Sequence, residues 1–225
     1  MRAGLDGAEL LSVLIEDDFR ERIALVSSFG GESAVLLHMI SQIDRSTPVL
    51  FLDTGFLFPE TLDYQRELTF LLGLSDVRIL RPDAIHESEF DAARDLHLSH
   101  PNVCCFFRKV VPLRNGLAPF SAWISGRKRY QGADRTELDL LERDGRHIKA
   151  NPLAAWTAED VSAYISRHAL PAHPLVADGY PSIGCEPCTT PVVAGEDPRA
   201  GRWRGTEVKE CGIHFADGRA VRGAA

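Results

Sequence analysis

Long apolar runs are missing from this chain of 225 residues, and the opening Met1-Arg2-Ala3-Gly4-Leu5-Asp6 carries no signal-peptide pattern. A membrane-spanning helix needs about 20 mostly apolar residues in succession. Membrane insertion is therefore not expected, and a cytosolic protein is. Excess positive charge is missing too: 25 Lys and Arg stand against 32 Asp and Glu, a net charge of -7. That balance argues against a general nucleic-acid or membrane surface. Neither internal repeats nor low-complexity segments occur. Cysteine is scarce, at five. Cytosolic thiols stay mostly reduced, so these five read as ligands or redox groups and not as a disulfide framework.

What is present is an alternation of strand and helix signals. Leu10 to Arg22 reads as a helix, and Ile23-Ala24-Leu25-Val26 as a buried strand. A helix follows with Val35, Leu36, Met39 and Ile40 on one face. Val49 to Leu52 is a second strand, and Pro59-Glu60 opens a helix with Leu62, Leu68, Leu71 and Leu72 as apolar positions. Val77 to Leu80 and Ala122 to Ile124 complete four strands, and Thr157 with Asp160 marks a capped helix start. The pattern predicts an α/β fold, a mostly parallel sheet with helices on both faces. From Leu170 onward the chain is rich in Pro and Gly, which predicts a loop-rich C-terminal segment held by something other than a large core. Residues 1–205 are expected to form one nucleotide-binding domain, and 206–225 a mobile tail.

The strand-to-helix loop Ser27-Ser28-Phe29-Gly30-Gly31-Glu32-Ser33 suits a phosphate or sulfate. Its glycines let backbone N–H groups face an anion, and its serines and the helix N-terminus add to that. No Gly-Lys-Ser/Thr follows, so it is not a Walker loop. The plainer reading is a tight turn with capping serines. Asp53-Thr54-Gly55, after the second strand, either contacts a ribose or base or is a simple loop turn. Two basic groups, Arg127-Lys128-Arg129 with Arg135 and Arg199, Arg202, Arg204 with Lys209, suit a small anionic ligand or are solvated surface charges.

The cysteines fall as an adjacent pair, Cys104-Cys105, a Cys-x-x-Cys, Cys185 and Cys188, and a lone Cys211. Neighbouring side chains on a helix diverge by about 100°. Two adjacent thiolates therefore converge more easily on a bulky cluster than on one small ion. That favours one four-iron four-sulfur cluster per chain, with zinc as the alternative and buried free thiols behind it. Arg108 and Lys109 lie within a turn of Cys105, where a lysine offsets cluster charge or simply faces solvent. Lys209 and His214 flank Cys211, an arrangement that favours a nucleophilic thiolate, though Glu210 works against it.

The loop resembles the Ser-Gly-Gly-x-Asp-Ser pyrophosphate loop of adenine-nucleotide α-hydrolase-like proteins, with Phe29 and Glu32 as departures. Phe does not readily take positive φ, which points to a smaller anion than a triphosphate. From Ile23 to His214 the chain resembles the assimilatory adenylyl-sulfate (APS) reductases, the iron–sulfur branch of the phosphoadenylyl-sulfate (PAPS) reductase family. The resemblance rests on Cys104-Cys105-x-x-Arg108-Lys109, Trp123-Ile124-Ser125-Gly126-Arg127, Asn151-Pro152-Leu153, Gly179 to Thr189, Gly195 to Trp203, and Lys209-Glu210-Cys211-Gly212-Ile213-His214. It implies reduction of APS to sulfite and AMP by thioredoxin through a Cys211 S-sulfonate. It implies that Lys109, Arg199, Arg202 and His214 hold the sulfate. It places Arg135 at the phosphosulfate, and Ser27, Ser28, Gly30 and Ser33 along the loop. Cys104, Cys105, Cys185 and Cys188 would be the cluster ligands. A homo-oligomer is compatible with the sequence. The rivals are a PAPS reductase, an iron–sulfur sensor or scaffold without turnover, and a zinc-stabilised ATP-using ligase.

Overall fold

The computed structural model describes residues 5–132, 135–206, 213, 215–216 and 219–220. A short helix, Gly7–Ser12 (α1), runs into a π-helical turn, Val13–Asp18, ahead of strand Ile23–Ser27 (β1). Helix Ser33–Ile43 (α2) leads to Val49–Leu52 (β2), and helix Pro59–Leu72 (α3) to Val77–Leu80 (β3). Helices Ala84–Phe90 (α4), Leu96–Ser99 (α5), Pro101–Cys105 (α6) and Val111–Leu117 (α7) precede Ala122–Ile124 (β4). The hairpin Leu141–Asp144 (β5) and His147–Ala150 (β6) follows. Helices Ala158–Arg167 (α8) and Pro174–Ala177 (α9) come next, and the two-residue strands Phe215–Ala216 (β7) and Arg219–Ala220 (β8) pair at the end.

Six strands form one sheet in the order β3-β2-β1-β4-β6-β5. All neighbours are parallel except β5 with β6. The expected mostly parallel α/β sheet is therefore present. The β5–β6 hairpin is an addition that the apolar pattern did not announce. Its strands read Leu-Glu-Arg-Asp and His-Ile-Lys-Ala, too polar for a core-strand signature. The Asp144-Gly145 step between them was the available signal.

Period-two alternation explains the burial. Ile23, Leu25, Val49, Phe51, Ala122 and Ile124 share one core with α1, α2, α3 and α8 residues such as Leu11, Leu37, Leu68 and Val161. Ala24, Leu50 and Trp123 face the other way and pack with Leu113, Leu117 and Phe120. Both faces are covered, as parallel sheets require. The start of α8 is held as expected. Thr157 Oγ1 accepts from the Asp160 N–H at 3.1 Å, and Asp160 Oδ2 accepts from the Thr157 N–H at 2.9 Å. The strand order reverses between β1 and β4, so the loops leaving these strands open a crevice at the carboxyl edge. Among the described residues no helix is long and apolar enough to cross a membrane.

Candidate functional site

That crevice holds a cleft of about 250 Å³. Ser27, Ser28, Gly30 and Ser33 line it from the β1–α2 loop, and Arg135 lines it from the segment after β4. Arg199 and Arg202 enter from the C-terminal lobe, and Lys109 from the turn after α6. Asp53 and Gly55 are not brought into this lining. Asp53 Oδ1 accepts from the Gly55 N–H at 3.0 Å, and its Oδ2 pairs with Arg81 Nε at 3.0 Å. Thr54, between them, does line the cleft. Cys211 and His214 lie outside the described residues. Ile213 is described, lines the cleft and packs against the Trp123 cluster.

The β1–α2 loop departs from expectation at Phe29, which takes φ +47 while the neighbouring glycines do not take positive φ. The strain is borne because the ring is fully buried, edge-on to Phe51 with centroids 5.1 Å apart. Its N–H donates to Ser27 Oγ at 3.1 Å. Left-handed backbone at a non-glycine residue survives where its surroundings over-determine it. Gly31 serves close approach instead, since a Cβ there would lie 2.9 Å from Val176 Cγ2.

Glu32 of the same loop was singled out only as a departure, and the structure makes it a hub. It accepts from Lys128 Nζ at 2.7 Å, from Gln131 Nε2 at 3.2 Å and from the Tyr130 hydroxyl. Burial opposes its ionisation, yet the Lys128 ammonium and these donors hold its carboxyl below the usual range. Lys128 is buried and also donates to the Gly126 carbonyl at 3.0 Å. The basic run Arg127-Lys128 is therefore not a solvated face; the Glu32 side of the cleft is an ion-paired wall.

A second, smaller cavity adjoins the cleft. Cys104, Cys105, Cys185 and Cys188 all line it, together with Arg108 and Lys109. All four cysteines are free. Cys104 and Cys105 end α6, and the chain continues as a π-helical turn, Phe106–Val110, that carries Lys109. Single π turns recur at functional sites. Lys109 and Cys185 line both cavities. Cys185 is pinned by Thr54, with Oγ1 3.2 Å from Sγ, and its backbone bridges to Leu57. Burial pushes the Cys104 thiol up to about 11 against the pull of Arg108, and burial and then Cys185 push Cys188 up. Burial thus favours the protonated form of the Cys104 and Cys188 thiols. Among the described residues no group of three or more His, Cys, Asp or Glu side chains is set to hold a single metal ion.

Arg108 is fully buried beneath this cavity. Its Nε donates to Asp91 Oδ2 at 3.1 Å, and its Nη1 donates to Glu87 at 2.7 Å and to the Thr54 carbonyl at 2.9 Å. Phe56 lies under the guanidinium at 4.2 Å. Burial opposes the charge of Asp91, but Arg108 holds its carboxyl below the usual range. Sequence reasoning placed Arg108 only by its distance from Cys105. Its partners, 17 and 21 residues away, carry no local signature.

The C-terminal lobe is tied down by backbone bonds. Trp203 N–H donates to the Cys188 carbonyl at 2.9 Å, and Arg202 Nη1 donates to the Ile183 carbonyl at 3.2 Å. Gly184 allows the latter, because a Cβ there would lie 2.2 Å from the Arg202 guanidinium. Trp203 also lines the cleft, with the Arg202 guanidinium 4.4 Å from its ring.

Known proteins are similar to this chain over most of its length. An adenosine 5'-phosphosulfate reductase of Mesorhizobium japonicum is 48% identical over 221 residues, 95% of this chain and 87% of that protein. A phosphoadenosine 5'-phosphosulfate reductase of Gloeobacter violaceus is 41% identical over 201 residues, 87% of this chain and 83% of that protein. The crystal structure of the phosphoadenylyl-sulfate (PAPS) reductase of Candida auris, a phosphate complex, has a TM-score of 0.70 and 27% identity, covering 83% of this chain and 91% of that one. The phosphoadenosine phosphosulfate reductase domain matches residues 22–191, and with that match spanning the six-stranded sheet and all four paired cysteines, the chain belongs to that family.

Proposed function

We propose that this chain reduces APS to sulfite and AMP, with two electrons drawn from a thioredoxin dithiol. One observation carries the reading. The anion cleft and the four-cysteine cavity meet at Lys109 and Cys185, and Ile213, two residues beyond Cys211, lines the same cleft. The name of the Mesorhizobium japonicum relative, at 48% identity, supports APS as substrate.

In this mechanism the loop serines and Arg135 bind the nucleotide phosphate, while Lys109, Arg199 and Arg202 bind the sulfate. The Cys211 thiolate attacks the sulfur. The bond from sulfur to the bridging oxygen breaks, and AMP leaves with that electron pair. Cys211 then carries an S-sulfonate. A thioredoxin thiolate attacks Cys211 Sγ, and sulfite departs with the electron pair of the S–S bond. The second thioredoxin thiol resolves the mixed disulfide, and a proton returns to Cys211. The cations stabilise charge that builds on the departing phosphate and sulfite oxygens, and His214 assists there.

Cys104, Cys105, Cys185 and Cys188, which line one cavity, would hold a four-iron four-sulfur cluster, because two adjacent thiolates converge more easily on a bulky cluster than on one small ion. When bound, that group contributes a cross-link between α6 and the C-terminal lobe and negative charge beside Lys109.

The test is intact-protein mass spectrometry without reductant after mixing with APS or PAPS. A single sulfonate from APS, mapped to Cys211 and absent in Cys211→Ser, is expected. An adduct from PAPS alone would move the enzyme to the 3′-phosphorylated substrate, and no adduct from either would favour the sensor or scaffold reading.

A further inference from the structure

Beyond the residues that touch the substrate in that reading, the β5–β6 hairpin supplies carboxylates aimed at the cleft wall from behind. Arg127 and Trp123 both line the cleft. Arg127 Nη2 donates to Glu142 Oε2 on β5. The same oxygen accepts from Asn151 Nδ2 at 2.8 Å and has Lys149 Nζ at 3.6 Å. Asn151 is fully buried, and it ties the end of β6 to the chain before β5. Its N–H donates to the Leu140 carbonyl at 2.8 Å, and its Nδ2 also donates to the Asp139 carbonyl at 2.8 Å. Glu142 is thus a fixed acceptor, not a mobile surface acid. One residue pair on, Asp144 Oδ2 accepts from Trp123 Nε1 at 3.0 Å, and the Lys149 ammonium lies 4.9 Å from the Trp123 ring centroid.

We propose that Glu142 is a positioning residue: it holds the Arg127 guanidinium in the cleft wall so that Arg127 contacts the anionic nucleotide. The physical reason is preorganisation. An arginine beside an open cleft samples many rotamers, and each must be given up when an anion binds. A carboxylate locked from behind fixes the planar guanidinium at the cleft wall. Lys149, between Glu142 and Asp144, keeps the wall from turning net acidic. The inference rests on the reading of the cleft as a nucleotide site.

The experiment is a double-mutant cycle in the full-length protein, with AMP affinity by calorimetry and kcat and KM for APS. Arg127→Ala and Glu142→Ala should each weaken AMP binding and raise KM about tenfold, and the double variant should lose no more than either single one. Glu142→Gln, whose amide oxygen still accepts from Arg127, should recover most of the affinity. Additive losses, or an unchanged AMP affinity in Glu142→Ala, would overturn the proposal. Should Glu142→Ala not fold, the cycle is run with Glu142→Met, which keeps the side-chain length but offers Arg127 no carboxylate, and additivity with Arg127→Ala is again the overturning result. Wild-type protein that binds AMP while the variants do too sinks only the Glu142 role. Wild-type protein that binds no AMP and forms no adduct sinks the nucleotide reading along with it.

Discussion

The sheet body and the C-terminal lobe are held together by different physics. The body buries a contiguous apolar core from β1, β2 and β4 with α1, α2, α3 and α8. Among the described residues, the lobe's apolar cluster is Leu175 and Ile183 with Tyr180, packed on Phe58 ahead of α3. There the ties are directional: Trp203 to Cys188, Thr190 to Gly201, Glu186 to Phe56 and Arg202 to Ile183. Apolar burial yields about 25 cal/mol per Å² regardless of orientation. A typical hydrogen bond nets only about 0.5–1.5 kcal/mol. The body is therefore stable on its own terms, whereas the lobe gains most from whatever bridges it to α6. The four cysteines stand at that join. The residues that line the cavity beside the cleft thus also stand where the lobe meets α6.

The seam between the two regions should give the largest effect. Asp91→Ala removes one of the two carboxylates that neutralise the buried Arg108 guanidinium and should cost up to about 3–5 kcal/mol in urea unfolding. A loss below about 1 kcal/mol would mean that the seam is wet and the comparison overdrawn. Within the body, Leu37→Ala removes a fully buried side chain of α2 and should cost about 2–5 kcal/mol.

In the lobe, Cys185→Ala should lose bound iron and raise hydrogen exchange across residues 183–203, while amides of β1 and β2 keep their protection. Equal loss of protection in both regions would show that they unfold as one unit. Full iron content in that variant would remove Cys185 from the ligand set.

A weaker, pH-dependent link joins α3 to α9. His173 is buried, its Nδ1 accepts from the Leu175 N–H at 3.2 Å, and its Nε2 pairs with Thr61 Oγ1 at 3.0 Å. Burial holds its pKa below the ordinary 6.5, against a smaller pull from Glu60. The unfolded chain takes up the proton first as pH falls. The stability this ring supplies is therefore complete above pH 6.5 and declines below it, by up to about 1.4 kcal/mol per pH unit. His173→Asn keeps a cap acceptor without a titrating ring and should flatten that decline in thermal melts. Smallest of all, Thr157→Ala removes half of the α8 capping box and should cost about 1 kcal/mol, read from the urea midpoint.

How much could be read beforehand follows the same division. β2, β3 and β4 were legible because short apolar runs bounded by turns leave little else for the chain to do. The box at Thr157 was legible because capping is local in sequence. Glu142 and Arg108 were not, since a braced or buried charge is defined by partners beyond its own turn or strand. Phe29 misled for a related reason: intrinsic φ preference is local, but the Phe51 packing that overrides it is tertiary.

By itself, then, the order of residues determined the alternating α/β sheet, the serine- and glycine-rich loop after β1 and the two cysteine pairs, because each is encoded in neighbours a few positions apart. Only the tertiary structure decided that the pairs share one cavity, that Lys109 lies between that cavity and the cleft, and that Glu32, Arg108 and Glu142 are buried or braced and not solvated. Desolvation and ion pairing depend on which distant groups the fold brings within a few ångströms, and no local pattern carries that information.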